Sequence, residues 1–170
     1  MTTVIRRGVP VQLSGDPPQV GDKAPDFTLV ANDFSKVSLG ESAGKVRLIS
    51  VVPSIDTSVC SIQTRRFNQE IDKLPDSVVA YTVSVDTPWA QKRWCGAEGV
   101  EKMTLLSDYK GNKFGQDWGL YIEEPLGALA RSVFVVDKDG TIAYAQLVPD
   151  LGQEPNYDAA LAKARELAGA

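Results

Sequence analysis

A mixed α/β fold, with a central β-sheet flanked by helices and an N-terminal β-hairpin, is predicted by three observations. Apolar runs rich in Val, Ile and Leu alternate with stretches of helical periodicity, Asp139-Gly140 marks a tight turn between two late strand-like runs, and an amphipathic segment follows them. At 170 residues, 43% apolar and 24% charged, the chain suits one well-cored domain over 1–170 and is short for two. There is no internal repeat, low-complexity linker or charge block to suggest a second unit.

The elements follow in order. Val4 to Leu13, with Gly8 and Pro10 in its middle, reads as a small hairpin, and Gly15, Asp16, Pro17 and Pro18 break the pattern. Phe27 to Val30 and Lys36 to Leu39 read as a pair of strands around Ala31-Asn32-Asp33, and Gly44 leads into a central strand from Val46 to Val52. Val59, Ile62, Phe67, Ile71 and Leu74 then carry helical periodicity as far as Pro75. Ser77 to Val85 supplies a second central strand. Asp86 or Thr87 caps the next helix, with Pro88 at its first position and a stop at Gly96. Met103 to Leu106 reads as a strand, Lys113 to Trp118 as a short helix, and Gly119 to Gly127 as a loop. Ser132 to Val136 and Thr141 to Val148 form the last hairpin, and Asn156 or Asp158 starts a terminal helix through Leu161, Ala164 and Leu167.

The chemically informative stretch is Pro53-Ser-Ile-Asp-Thr57-Ser-Val-Cys60. It follows an apolar strand with a strand-to-helix elbow and delivers Cys60 to the first helical turn, where unpaired N–H groups and the positive end of the helix dipole favour an anion. Only the thiolate of a cysteine is a nucleophile, and an unperturbed thiol is only about 3% ionised at pH 7. The chain contains no histidine, so a Cys/His pair and a histidine-ligated metal are excluded. Activation is left to the helix terminus, hydroxyls and an arginine. Arg131, just before the Ser132 to Val136 run, is the arginine placed to lean over the sulfur. A plainer reading stands beside this one: Cys60 as a small buried hydrophobe, Thr57 as a cap and Arg131 as a surface ion-pair partner.

The PxxxTxxC arrangement resembles the peroxidatic motif of peroxiredoxins, and PSIDTSVCSIQTRRFN followed by RWCGAEG is similar to the thiol peroxidase branch, the atypical two-cysteine peroxiredoxins. The likeness runs nearly end to end, from VIRRGVPVQL through GDKAPDFTLV to NYDAALAKARELA. It implies a thioredoxin-like fold, Cys60 as peroxidatic cysteine, Cys95 as resolving cysteine, and Thr57, Pro53 and Arg131 as the remaining active-site residues. It further implies a Cys60–Cys95 disulfide formed through a Cys60 sulfenic acid, reduction by thioredoxin, hydrogen peroxide and organic hydroperoxides as substrates, and a homodimer. No flavin, haem, metal or other cofactor is implied. A disulfide needs Cα atoms about 4.4–6.8 Å apart, whereas these cysteines fall on separate helical segments. Local unwinding around Cys60, around Trp94 to Gly99, or at both is therefore expected.

Composition bounds the remaining possibilities. A net charge of -4 argues against a nucleic-acid footprint, and Arg6-Arg7 and Arg65-Arg66 read as isolated, solvated basic pairs. No apolar stretch is long enough to span a membrane, and MTTVIRRGV lacks a secretory core, so a cytoplasmic location is expected. Two functions compete with the peroxidase: a dithiol-disulfide relay, against which the absence of a CxxC motif counts, and a binding module with passive cysteines.

Overall fold

The computed structural model describes residues 2–100 and 102–169. Strands β1 (Thr3–Arg6) and β2 (Val9–Gln12) form the first hairpin. Arg7 and Gly8 both have positive φ at its turn, the conformation that matches a two-residue loop to strand twist.

A seven-stranded mixed sheet follows, built from β3 (Thr28–Ala31), β4 (Lys36–Ser38), β5 (Val46–Val51), β6 (Val78–Ser84), β7 (Thr104–Ser107), β10 (Ser132–Val136) and β11 (Ile142–Leu147). Their spatial order is β11-β10-β5-β6-β7-β3-β4. Pairings β5/β6 and β6/β7 are parallel, and the others are antiparallel. The parallel pairs require crossover connections, which helices α1 (Ser58–Ile71) and α2 (Pro88–Glu98) provide. Two further α-helices are α3 (Lys113–Asp117) and α4 (Tyr157–Ala168).

Every residue of β5 is buried, and its alternation divides the core. Val46 and Leu48 join Val133, Val135, Phe67 and Leu161 on the face covered by α1 and α4. Ile49 and Val51 face the other way, with Phe134, Phe27, Phe114 and Trp118. On that second side the aromatic rings meet edge-to-face or stacked, with Phe114 and Trp118 at 5.1 Å between centroids.

Three expectations need correction. The Val59/Ile62 stripe is not the inward face of α1: Ile62 is 41% exposed, and Cys60, Gln63, Thr64 and Phe67 point into the protein. Polar groups on the sheet, chiefly Ser50 and Arg131, give this face partners that an apolar stripe would leave unsatisfied. Helix α2 runs past Gly96 to Glu98 and ends at Gly99, whose φ of 68° supplies the left-handed cap. The 119–127 segment is more ordered than a loop, since β8 (Tyr121–Ile122) pairs with β9 (Ala128–Leu129). Thr87 and Asn156 are the caps of α2 and α4, each accepting a backbone N–H through its side chain.

Candidate active site

Strand β5 ends at the centre of the sheet, and the chain turns through Pro53 to Thr57 into α1. This elbow is held from outside by one carboxylate. Asp86 accepts from Ser54 Oγ at 2.8 Å, from the Ile55 N–H at 2.8 Å and from Ser84 Oγ at 2.6 Å. Thr57 is the N-cap of α1, its Oγ1 accepting the Cys60 N–H at 3.2 Å. Cys60 thus lies in the first turn, at the positive end of the helix.

The second contribution comes from across the sheet. Arg131 enters β10 beside β5, because Ser132 pairs with Val51. Its Nη2 donates to Cys60 Sγ at 3.3 Å, Nη1 to Gln63 Oε1 at 3.0 Å and Nε to the Leu151 carbonyl at 3.0 Å. Gln63 is fixed in turn by donating from Nε2 to Ser50 Oγ at 2.7 Å. Arg131 is only 2% exposed and forms no ion pair with a carboxylate among the described residues. A buried, permanently charged guanidinium needs an anion or a full set of acceptors, and here the two neutral oxygens leave one branch directed at sulfur. The thiolate of Cys60 is the anion this arrangement suits.

A cavity of about 420 Å³ adjoins the elbow, with Pro53, Val59, Leu126 and Leu151 as apolar lining and Thr57 and Arg131 as polar lining. Cys60 has no exposed surface of its own. Arg6 and Arg7 reach this same cavity from the N-terminal hairpin, which corrects their reading as a merely solvated pair. The Thr57 hydroxyl donates to the Ser54 carbonyl at 3.4 Å while capping the helix.

The structure thus brings Pro53, Thr57, Cys60 and Arg131 together and leaves Cys95 elsewhere. Both cysteines are free thiols. Cys95 occupies the last turn of α2 and lines a different cavity, of about 430 Å³, with Asn32, Val100 and Met103. Asn32 Nδ2 donates to its sulfur at 3.9 Å. Burial pushes this thiol above its usual range, and the Asn32 contact offsets only part of that. The two helices are clamped together by the Trp94 Nε1 to Ser61 Oγ bond at 3.1 Å and the Arg65–Glu98 ion pair at 3.2 Å.

Sequence reasoning missed Gln63, Asp86 and the Leu151 carbonyl. Gln63 carried a signal, a polar residue one turn after Cys60 on the same helical face. Asp86 and Leu151 carried none, because their partners are distant in sequence.

A thioredoxin-like layering with a buried cysteine at a helix N-terminus, faced by an unpaired arginine, defines a thiol-based redox protein. The Redoxin family model matches residues 19–161. The chain is 53% identical over 160 residues to the thiol peroxidase of Streptococcus pneumoniae (strain ATCC BAA-255 / R6), covering 94% of this chain and 97% of that protein. It is 49% identical over 167 residues to the thiol peroxidase of Bacillus subtilis (strain 168), covering 98% and 99%. Among solved structures, a peroxiredoxin-like protein from Aquifex aeolicus superposes with a TM-score of 0.91 at 41% identity, covering 98% of each chain. The chain belongs to the Redoxin family, in its thiol peroxidase branch.

Proposed function

We propose that the protein is a thiol-dependent peroxidase in which Cys60 is the nucleophile and Cys95 resolves the oxidised sulfur. The observation that carries this reading is the 3.3 Å contact from a buried, otherwise uncompensated Arg131 to Cys60 Sγ. The Cys60 thiolate attacks one peroxide oxygen, the O–O bond breaks, and the departing hydroxide or alkoxide takes a proton to leave as water or alcohol. Arg131 stabilises negative charge on the sulfur before attack and on the departing oxygen during it. Thr57 orients the first turn, and Pro53 shields it.

Cys60 is then a sulfenic acid. Attack by Cys95 forms the disulfide and expels water, and an external dithiol of the thioredoxin type returns both sulfurs to thiols while becoming a disulfide itself. Cys60 Sγ is held by Arg131 at the start of α1 and Cys95 lines another cavity at the end of α2, so the resolving step is expected to involve backbone movement at the start of α1, at the end of α2, or at both. A homodimer is part of the same proposal, and sedimentation at assay concentration tests it.

Peroxide consumption coupled to thioredoxin and its reductase tests the assignment. Cys60→Ser should abolish turnover, whereas Cys95→Ser should consume one equivalent of peroxide and then fail to recycle. Disulfide transfer to proteins without peroxide consumption would indicate a relay instead. Unchanged thiol titre after peroxide treatment would indicate passive cysteines.

A further inference from the structure

The sequence contains two Arg-Arg pairs, and the structure treats them differently. Arg65 and Arg66 are engaged by Glu98, Glu70 and Asp158. Arg6 and Arg7 form no ion pair among the described residues, and both line the cavity beside Cys60. With Arg131 they place three cations around that cavity against a single carboxylate, Asp150, in a chain whose net charge is -4. The general charge of the protein does not account for this local excess.

The placement of these arginines is built into the fold. The turn of the first hairpin is set by positive φ at Arg7 and Gly8. The hairpin is tied to the segment after β11, because the Ile5 N–H donates to the Pro149 carbonyl at 2.7 Å and the Leu151 N–H to the Ile5 carbonyl at 2.9 Å. Leu151 also accepts from Arg131 Nε. The guanidinium that faces the sulfur and the hairpin that carries the outer arginines are therefore anchored on one short segment. Between them the cavity offers Leu126, Val59 and Pro53 as an apolar wall. Its volume of about 420 Å³ lies within the range of small-molecule sites, roughly 300–1,000 Å³.

We infer that this cavity selects amphipathic organic hydroperoxides carrying a carboxylate remote from the peroxide group. The alkyl chain lies along the apolar wall, the O–O bond is directed toward Cys60, and the carboxylate meets Arg6 and Arg7. This rests on the peroxidase reading and adds to it a charge preference set by the N-terminal hairpin. Arg6 and Arg7 act on binding, not on the reacting oxygens.

The test compares a fatty-acid hydroperoxide with its own methyl ester, both below their micellar concentrations, as a ratio of kcat/KM within each protein. Taking the ratio cancels any general loss of activity in a variant. The unmodified protein should favour the acid by about fivefold to tenfold at low salt, with the preference shrinking as salt screens it. Arg6→Gln/Arg7→Gln should bring the ratio close to one, and Arg6→Glu/Arg7→Glu should invert it. An unmodified protein that turns over both substrates with no preference, or a preference untouched in both double variants, would overturn the inference while leaving the peroxidase reading intact. Failure to consume either substrate or tert-butyl hydroperoxide would overturn both.

Discussion

The start of α1 and the end of α2 each present one cysteine, and they do so in opposite ways. Cys60 sits at the positive end of its helix, fully buried, with a guanidinium 3.3 Å from its sulfur. Cys95 sits at the negative end of its helix, half-buried, with only a neutral amide 3.9 Å away, and burial holds its thiol protonated. The same side chain faces a cation at a helix N-terminus in one place and only a neutral amide at a helix C-terminus in the other. That division suits a two-step cycle: the first sulfur has to be nucleophilic toward peroxide, and the second has to wait until an oxidised sulfur is there to attack.

The two regions also differ in how they are held. The elbow before α1 is pinned by two bonds to Asp86, which Ser84 holds in turn, and by the Thr57 cap, and Arg131 ties α1 to β10 and to Leu151. The end of α2 relies on the Trp94 and Arg65 contacts to α1 and on the left-handed Gly99. With fewer and more exposed restraints, the second region is the one expected to open first when the disulfide forms.

The comparison breaks most readily at Arg131. Arg131→Met keeps comparable bulk and removes the charge, and it should lower the second-order rate with hydrogen peroxide by about 10²–10³-fold in stopped-flow measurements. Arg131→Lys should fall between the two, since it restores a cation without the fork that bonds Gln63, Leu151 and sulfur together. A rate unchanged in Arg131→Met, in a protein with native circular dichroism, would mean that the contact to Cys60 plays no part in attack.

A smaller effect separates the cysteines by pH. Because burial raises the Cys95 pKa, its thiolate is scarce at neutral pH and becomes more abundant as pH rises. Disulfide formation, followed by tryptophan fluorescence after a single peroxide pulse, should climb about tenfold per pH unit below the thiol's pKa and level off only above the ordinary value of about 8.5. The closed resting state sets the cost of losing the proton, so this holds whichever way the helix opens. A plateau already reached at pH 7 would contradict the protonated resting state.

The smallest expected change is at Asn32. Asn32→Ala removes the one contact that opposes the effect of burial on Cys95, so it should slow disulfide formation at pH 7 by about twofold to threefold without altering the initial attack on peroxide. Loss of both steps together would show that Asn32 acts on the fold as a whole.

Much of this was legible in the chain. The apolar, β-branched runs of β5, β6 and β10, the tight-turn signal before β11, the Pro88 and Asn156 helix starts and the elbow carrying Cys60 are local patterns, governed by backbone sterics and capping within a few residues. Where local signals competed, tertiary contacts decided. Ile62 had the right spacing for the core but was turned outward because Gln63 and Thr64 were needed inside, and Gly96 did not stop α2 because Gly99 could adopt the left-handed cap.

By itself, the sequence determined the strand-to-helix frame, the placing of Cys60 at a helix N-terminus and the absence of an imidazole beside it. Only the tertiary structure decided that Arg131, held by Gln63 and Leu151, reaches the sulfur, that Asp86 pins the elbow, that Cys95 lines another cavity, and that Arg6 and Arg7 join the site. The reason is one of distance. Periodicity and capping act over a turn or two of chain, whereas the charge that faces Cys60 comes from a strand paired across the sheet and from a hairpin anchored on a segment near the other end of the chain.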